Sequence, residues 1–209
     1  MQRIDRERDA FVAIDVQNDF CSGGALAVPD GDAVVAPINR IMTRFAQVVA
    51  TQDWHPANHS SFAANHPAAS AFSTVETPYG PQTLWPNHCV QGTPGAAFHP
   101  DFEVRRAGLI LRKGARASVD SYSAFYENDK ATPTGLAGYF NERGVHRVFL
   151  AGLATDYCVS YSALDARRLG FEVFVIVEAC RAIDLNGSLA AARAAWAQAG
   201  VETCEIDEF

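Results

Sequence analysis

Short apolar segments alternate with helical patterns along most of this 209-residue chain. Continuous apolar runs predict six buried strands, and a 3.6-residue spacing of apolar side chains predicts four helices. The strands are expected at 11–16, 47–51, 109–112, 147–153, 171–177 and 201–204, and the helices at 33–45, 134–143, 157–169 and 190–199. Because strand-helix alternation favours right-handed crossovers, we expect a three-layer α/β/α domain with a six-stranded, mostly parallel sheet.

Composition is consistent with one domain over residues 1–209, of which residues 1–10 form a charged amino-terminal extension. Hydrophobic residues make up 48% of the chain, which is enough for a single core. The extension lacks the apolar segment of a signal peptide, and no apolar run approaches the ~20 residues of a membrane span, so we expect a cytoplasmic protein. The five scattered cysteines, without a Cys-x-x-Cys pair, predict free thiols.

Charge argues against nucleic acids and anionic membranes as partners. The chain carries 17 basic and 24 acidic residues, for a formal net charge of −7, and no basic cluster follows one face. A small molecule is therefore the expected partner. The sequence leaves the oligomeric state open, with a homo-oligomer as one alternative.

A long segment without regular periodicity interrupts the alternation after Asp53. Seven of the ten prolines and five of the six histidines lie between His55 and Pro100. Such a segment is too long for a simple connection, so we expect a mostly irregular loop region with a function, namely metal binding.

Four reactive side chains follow predicted strands. Asp15, Asp53, Lys113 and Cys158 lie at the carboxyl ends of parallel strands, where ligands bind in open α/β sheets. Cys158 would also lie in the first turn of a helix, whose dipole favours a thiolate nucleophile. The alternative is a structural role for each: a buried cysteine, a turn cap at Asp15 and a solvated Lys113.

A second group predicts a metal site. Asp53 and His55 are two apart on an extended segment and so point the same way, and His88 could complete the set from the long loop. Two imidazoles and a carboxylate leave coordination positions open. The alternative is a loop whose histidines cap turns and stack on Trp54 and Trp85; His59, His66 and His99 are assigned structural or surface roles, with assistance by His59 in metal binding left open.

Six separated motifs resemble the nicotinamidases, or pyrazinamidases, of the isochorismatase-like cysteine hydrolase superfamily. They occur in the family's order and span nearly the whole chain. They are DVQNDF at 15–20, DWH at 53–55, WPNH at 85–88, RKG at 112–114, DSYSAF at 120–125 and GLATDYC at 152–158.

The resemblance implies a cysteine mechanism for hydrolysis of nicotinamide to nicotinate and ammonia in NAD salvage. Asp15 would take the proton of Cys158, Lys113 would hold the carboxylate, and the thiolate would form a thioester. The backbone N–H groups of Ala154 and Cys158 would form the oxyanion hole, in a turn with a cis peptide between Leu153 and Ala154.

The resemblance also implies one divalent ion on Asp53, His55 and His88. Zn²⁺ is the favoured ion, with Fe²⁺ and Mn²⁺ as alternatives, and it would orient the pyridine ring. Three aromatic residues would flank that ring, although plain core or lid packing is the other interpretation of them. They are Phe20, Trp85 and Tyr122.

Three other functions compete with this hypothesis. A related amidase for N-carbamoyl or ureido substrates would need the cysteine machinery but not the metal set. An isochorismatase is disfavoured by the presence of Cys158. A binding module with a dead site is disfavoured because Asp15, Lys113 and Cys158 are all intact.

Overall fold

The computed structural model describes residues 4–206 and contains eight strands within that range. Six of them form one sheet in the order β5-β2-β1-β6-β7-β8, and every neighbouring pair is parallel. The other two pair as an antiparallel hairpin. The strands are β1 (Asp9–Ile14), β2 (Gln47–Asp53), β3 (Thr74–Thr77), β4 (Gly80–Thr83), β5 (Leu109–Lys113), β6 (Arg147–Leu153), β7 (Glu172–Arg181) and β8 (Glu202–Cys204).

Four α-helices accompany the sheet, as the apolar spacing predicts. Their bounds lie within three residues of the predicted ones, and the largest differences are the earlier end of the first helix and the later start of the third. The helices are α1 (Val35–Met42), α2 (Leu136–Glu142), α3 (Ser160–Arg168) and α4 (Ser188–Ala199). Among the described residues, no helix has both the length and the apolar character needed to span a bilayer.

Phenylalanine rings cover one face of the sheet. Phe11, Phe149 and Phe174 lie in register on β1, β6 and β7. Phe45, which follows α1, stacks on Phe11 at 5.6 Å and contacts Phe149 at 5.1 Å between ring centroids, and Phe149 stacks on Phe174 at 4.8 Å. Rings of this size contribute much of the apolar surface removed from water, so they bury this face of the central strands.

The opposite face carries the helices that follow β6 and β7. The α1 crossover runs one way along the sheet and those through α3 and α4 run the other way, so right-handed connections place them on opposite faces. Trp196 of α4 donates its indole N–H to Ser160 of α3 at 3.0 Å, which ties these helices together. The predicted three-layer α/β/α architecture is confirmed.

The strand order reverses between β1 and β6. Ligands in open parallel sheets bind at such a reversal, beyond the carboxyl ends of the strands. The two strands approach closely there: Gly152 pairs with Ile14, and a Cβ at Gly152, where φ is +133°, would lie 2.1 Å from the Ile14 carbonyl oxygen. Next to them, Asp53 and Lys113 pair at the ends of β2 and β5.

The hairpin of β3 and β4 was not predicted from sequence. Its strands are four residues long, include Gly80 and Pro81, and alternate partly exposed with exposed positions along β3. Neither strand has the apolar pattern on which the strand predictions rested, so the whole segment was expected to be irregular. The remainder of residues 54–108 is largely irregular, as expected.

Candidate active site

Cys158 lies at the reversal of strand order. It is in a π-helical turn, Thr155–Val159, between β6 and α3, and its side chain is buried. The peptide bond between Leu153 and Ala154 is cis, as the resemblance predicts. The predicted helix and the position of the thiol near its start therefore agree with the structure.

Lys113 connects the reactive groups from the end of β5. Its ammonium forms ion pairs with Asp15 at 2.8 Å and with Asp53. It also donates to the backbone oxygen of Ser121 at 3.0 Å and to Cys158 Sγ at 3.4 Å. The alternative of a solvated surface lysine is wrong, because the side chain is buried.

Asp15 is fully buried just after β1. Its Oδ1 accepts a hydrogen bond from the Thr51 hydroxyl at 2.5 Å, and its own N–H donates to the same hydroxyl oxygen at 3.1 Å. One Asp15 oxygen, one Asp53 oxygen and Cys158 Sγ lie within 4.8 Å of one another. Asp15, Lys113 and Cys158 are thus brought together from three distant parts of the sequence.

Burial sets the protonation of this group. It raises the pKa of Asp15 to about 6, although Lys113 acts in the opposite direction. It also raises the pKa of the Cys158 thiol well above its usual range, and Lys113 again opposes the shift. Burial alone would lower the pKa of Lys113, but Asp15 and Asp53 raise it well above normal. The resting combination at neutral pH is a thiol, a carboxylate and an ammonium, not the thiolate that the helix position alone favours.

Asp53, His55 and His88 form a second cluster next to the first. Asp53 Oδ2 lies 3.6 Å from His55 Nε2 and 4.0 Å from His88 Nε2, and all three side chains are buried. Burial, reinforced by His55, lowers the pKa of His88 to about 4. Burial would also lower the pKa of His55, but Asp53 raises it.

Hydrogen bonds orient both imidazoles for metal binding. His55 Nδ1 lies 2.9 Å from the Gly114 carbonyl oxygen, and His88 Nδ1 lies 2.8 Å from that of Pro86. Because a carbonyl only accepts, Nδ1 carries the hydrogen in each ring, and the neutral ring then presents the Nε2 lone pair towards Asp53. The donor set and its orientation therefore fit a divalent metal ion.

Gly114 makes room for His55. A Cβ at this position would lie 2.3 Å from His55 Cε1, and the backbone has φ of +66°. Both the space and the backbone conformation exclude larger residues without a shift of the ring. The glycine of the Lys113-Gly114 pair thus belongs to the support of the metal-ligand cluster.

A cavity opens onto Cys158 and onto the metal-ligand cluster. The three predicted aromatic residues line it together with Cys158 and the candidate metal ligands, as does Ala154 of the predicted oxyanion hole. Trp85 packs edge-on against Tyr157 at 4.8 Å between centroids and donates its indole N–H to the Tyr122 hydroxyl at 2.9 Å. The full lining is Phe20, Leu26, Asp53, His55, Trp85, His88, Asp120, Tyr122, Ala154, Tyr157, Cys158 and Ile183.

Four lining residues were missed by the sequence reasoning: Leu26, Asp120, Tyr157 and Ile183. Tyr157 directly precedes the predicted nucleophile and Asp120 begins one of the six motifs, so both could have been found from their positions. Leu26 and Ile183 lie in loop sequence without any distinguishing pattern, and only the fold brings them to the cavity.

The remaining histidines and cysteines lie outside these clusters or at their margin. His59 is buried with its ring 4.4 Å from that of His55, but its nitrogens contact Ser61 and Val119. His66 contacts the Ser60 carbonyl, and His99 lies 3.4 Å from Asp32. None of the five cysteines, all of which lie in the described part of the chain, forms a disulfide, as predicted.

The isochorismatase domain family matches residues 9–208 of the sequence. The chain belongs to the isochorismatase family. This isochorismatase-family chain is 53% identical to a nicotinamidase of Acinetobacter baylyi over 180 residues, which cover 86% of this chain and 84% of the relative.

Solved structures give the same picture for this isochorismatase-family member. An Acinetobacter baumannii nicotinamidase/pyrazinamidase superposes with a TM-score of 0.96 at 52% identity, covering 97% of this chain and 98% of the other. A protein from L. infantum in complex with nicotinate superposes with a TM-score of 0.86 at 37% identity, covering 98% of this chain and 96% of the other. A pyrazinamidase of Pyrococcus horikoshii in complex with zinc gives 0.76 at 34% identity, with coverage of 95% and 99%.

Proposed function

We propose that this chain is a nicotinamidase that hydrolyses nicotinamide to nicotinate and ammonia through a thioester on Cys158. The observation that supports it best is that Asp15 and Lys113 meet Cys158, and that Cys158 and the Asp53-His55-His88 cluster line one aromatic cavity. The similarity to a nicotinamidase and to a nicotinate complex supports the choice of substrate.

The reaction begins with transfer of the thiol proton to Asp15. A carboxyl group with a pKa of about 6 is ionised at neutral pH and can take the proton of a thiol whose own pKa is raised. Lys113 stays charged, contacts both groups, and so stabilises the thiolate as it forms. The thiolate then attacks the carboxamide carbon of the substrate.

Collapse of the tetrahedral adduct breaks the C–N bond. Asp15 returns its proton to the departing nitrogen, so ammonia leaves and the acyl group stays on the sulfur. A water molecule then gives a proton to Asp15 and its oxygen attacks the thioester carbon. The sulfur leaves and recovers the proton from Asp15, and the carboxylic acid that is formed gives its own proton to solvent and departs as nicotinate.

The negatively charged oxygen of each tetrahedral adduct is stabilised by hydrogen-bond donors. We propose the backbone N–H groups of Ala154, which directly precedes the turn after β6, and of Cys158, which lies within that turn. Each such donor typically supplies about 3 kcal/mol of transition-state stabilisation in acyl-transfer enzymes.

Asp53, His55 and His88 would hold one divalent ion, for which we propose Zn²⁺, with Fe²⁺ or Mn²⁺ as the alternatives the same donors accept. Bound there, the ion would supply a Lewis acid that coordinates the pyridine nitrogen. Phe20, Trp85 and Tyr122 would bind the flat ring by stacking and exclude water from it.

The buried metal-ligand cluster favours this activity over hydrolysis of N-carbamoyl or ureido substrates, which does not need a ligand for a ring nitrogen. We further propose that residues 1–209 form one domain with a charged amino-terminal extension, and that the protein serves NAD salvage in the cytoplasm. Five cysteines that form no disulfide among the described residues suit that reducing compartment.

Replacement of Cys158 by alanine tests the proposal. Ammonia release from nicotinamide should fall below detection, whereas the matched variant Cys204→Ala, which removes another buried thiol on β8, should keep the parent rate. Electrophoretically pure protein should be assayed with nicotinamide, N-carbamoylsarcosine and ureidoacrylate, with and without chelator. Full turnover by Cys158→Ala, or a preference for an N-carbamoyl or ureido substrate, would contradict the proposed reaction.

A further inference from the structure

Gln82 is a buried side chain for which the proposed reaction has no role. It lies on β4 of the hairpin, is 1% exposed, and does not line the cavity. Its amide nitrogen lies 2.8 Å from the Thr83 carbonyl oxygen, 2.9 Å from Asp120 Oδ2 and 2.9 Å from the Tyr122 hydroxyl. Its amide oxygen accepts from Asn128 Nδ2 at 3.1 Å.

The neighbours of Gln82 permit only one orientation of its amide. The Thr83 carbonyl and the Asp120 carboxylate can only accept, so the nitrogen must face them. The opposite orientation would place the amide oxygen against two acceptors and lose both hydrogen bonds. Gln82 is therefore locked in place in a region that carries little other regular structure.

Two of the groups that Gln82 contacts form walls of the cavity. Asp120 and Tyr122 both line it, and Tyr122 in turn accepts the indole N–H of Trp85, a third wall. Gln82 Nε2 and Trp85 Nε1 each lie 2.9 Å from the Tyr122 hydroxyl oxygen, so this oxygen links the positions of Tyr122 and Trp85 to Gln82. Without Gln82, the hydroxyl loses one of these two neighbours.

The contact with Asp120 carries a second consequence. This buried carboxylate lies within 4.8 Å of ring nitrogens of His55 and His59, and the Ser121 N–H is its other hydrogen-bond donor among the described residues. A buried carboxylate that loses a hydrogen-bond donor is stabilised if it rotates towards another donor, because an unsatisfied buried charge costs free energy. Gln82 therefore holds one Asp120 oxygen, Oδ2, on the side of the hairpin.

We propose that Gln82 is a positioning residue for substrate binding: it fixes Asp120, Tyr122 and, through Tyr122, Trp85, so that the cavity accepts a flat aromatic ring. The proposal rests on the nicotinamidase function proposed above. In this proposal the hairpin of β3 and β4 supports the part of the cavity wall that Asp120 and Tyr122 form.

The test is the variant Gln82→Met, which keeps the length of the side chain and removes its hydrogen bonds. The KM for nicotinamide should rise about tenfold or more, while kcat should change less than about threefold, because Gln82 contacts binding walls and not Asp15, Lys113 or Cys158. The rate at which iodoacetamide alkylates Cys158, followed by mass spectrometry, should stay within about threefold of the parent, since this small reagent needs no ring site.

Gln47→Met is the matched control. Gln47 is a partly buried glutamine at the amino end of β2, whereas the cavity lies beyond the carboxyl ends of the strands. It donates to the Glu7 carbonyl at 2.5 Å. Its kinetic constants should not change. If Gln82→Met does not fold, Gln82→Leu replaces it, because leucine has no group that can donate to Asp120, and the same rise in KM is expected.

A double-mutant cycle with Tyr122→Phe separates positioning from general stabilisation. If Gln82 acts in part through the Tyr122 hydroxyl, Gln82→Met should raise KM less in the Tyr122→Phe protein than in the parent. The assignment would be overturned if KM did not change in Gln82→Met, if Gln47→Met raised KM equally, or if Gln82→Met lowered only kcat. Strictly additive effects on KM in the cycle would also overturn it. Absence of nicotinamide turnover in the parent would instead refute the proposed function, and this inference with it.

Discussion

Replacing Asp15 by asparagine tests the proton transfer on which the proposed reaction depends. Asparagine keeps the size of the side chain and an oxygen that can accept from Thr51, but it cannot take up the proton of Cys158. Lys113 keeps Asp53 as an ion-pair partner in this variant. We therefore expect a folded protein whose nucleophile has lost its base.

The size of the effect follows from the raised thiol pKa. Because burial raises the pKa of the Cys158 thiol well above its usual range, the thiol stays protonated at pH 7 unless a base takes its proton. General bases contribute roughly 10²- to 10⁴-fold in rate, so kcat should fall by about that factor, or roughly 3–5 kcal/mol. The KM should change little, because Asp15 does not line the cavity.

The pH dependence gives this prediction a sign. Burial raises the pKa of Asp15 from 3.8 to about 6, and the ionised form is the base. As the pH falls through 6 the base takes up a proton, so kcat/KM of the parent should be level above that pH and drop about tenfold per unit below it. In Asp15→Asn this fall of kcat/KM below pH 6, the acidic limb of the profile, should be absent. Initial rates of ammonia release between about pH 5 and 8 measure it.

Asp9→Asn is the control, since it makes the same substitution at the other end of β1. Asp9 is buried and pairs with Arg147, so the change should lower stability and leave kcat near the parent value. The reasoning would be refuted by an Asp15→Asn protein that keeps more than about a tenth of the parent kcat with the acidic limb intact.

Two further predictions concern the metal-ligand cluster. His88→Ala should lower the bound metal, measured by plasma emission spectrometry after gel filtration, and should raise KM more than it lowers kcat; full metal content would show that His88 is not a ligand. Gly114→Ala should destabilise the protein by more than about 1 kcal/mol and weaken metal binding, because its Cβ would lie 2.3 Å from His55 and its φ is +66°. Gly138→Ala, in α2 with nothing within 4 Å of the new Cβ, should instead be neutral or stabilising in chemical denaturation, and equal losses from both glycines would contradict the packing argument.

The core strands and the candidate site could be predicted because each depends on local patterns. Apolar runs such as 147–153 form central strands wherever helices cover both faces of a sheet. Asp15, Asp53, Lys113 and Cys158 each follow such a strand, and the carboxyl edge of a parallel sheet brings strand ends together. The residues were therefore found before their distances were known.

The hairpin and the cavity walls from loops could not be predicted in this way. Gln82 has no apolar pattern around it, and its importance is visible only through Asp120 and Tyr122, which are about forty residues away in sequence. Ile183 reaches the cavity because Asp156, in the turn of Cys158, accepts its N–H at 3.1 Å. Such contacts depend on the path of the whole chain and leave no local periodicity.

The sequence by itself determined the α/β alternation, the strand ends that carry reactive groups and the types of those groups, because hydrophobic periodicity and residue chemistry are local properties. Only the tertiary structure decided their protonation and orientation. Burial keeps the Cys158 thiol protonated and lifts the pKa of Asp15 to about 6, and two backbone carbonyls turn Nε2 of His55 and His88 towards Asp53. Desolvation and hydrogen-bond geometry arise from neighbours distant in sequence, so they exist only once the chain has folded.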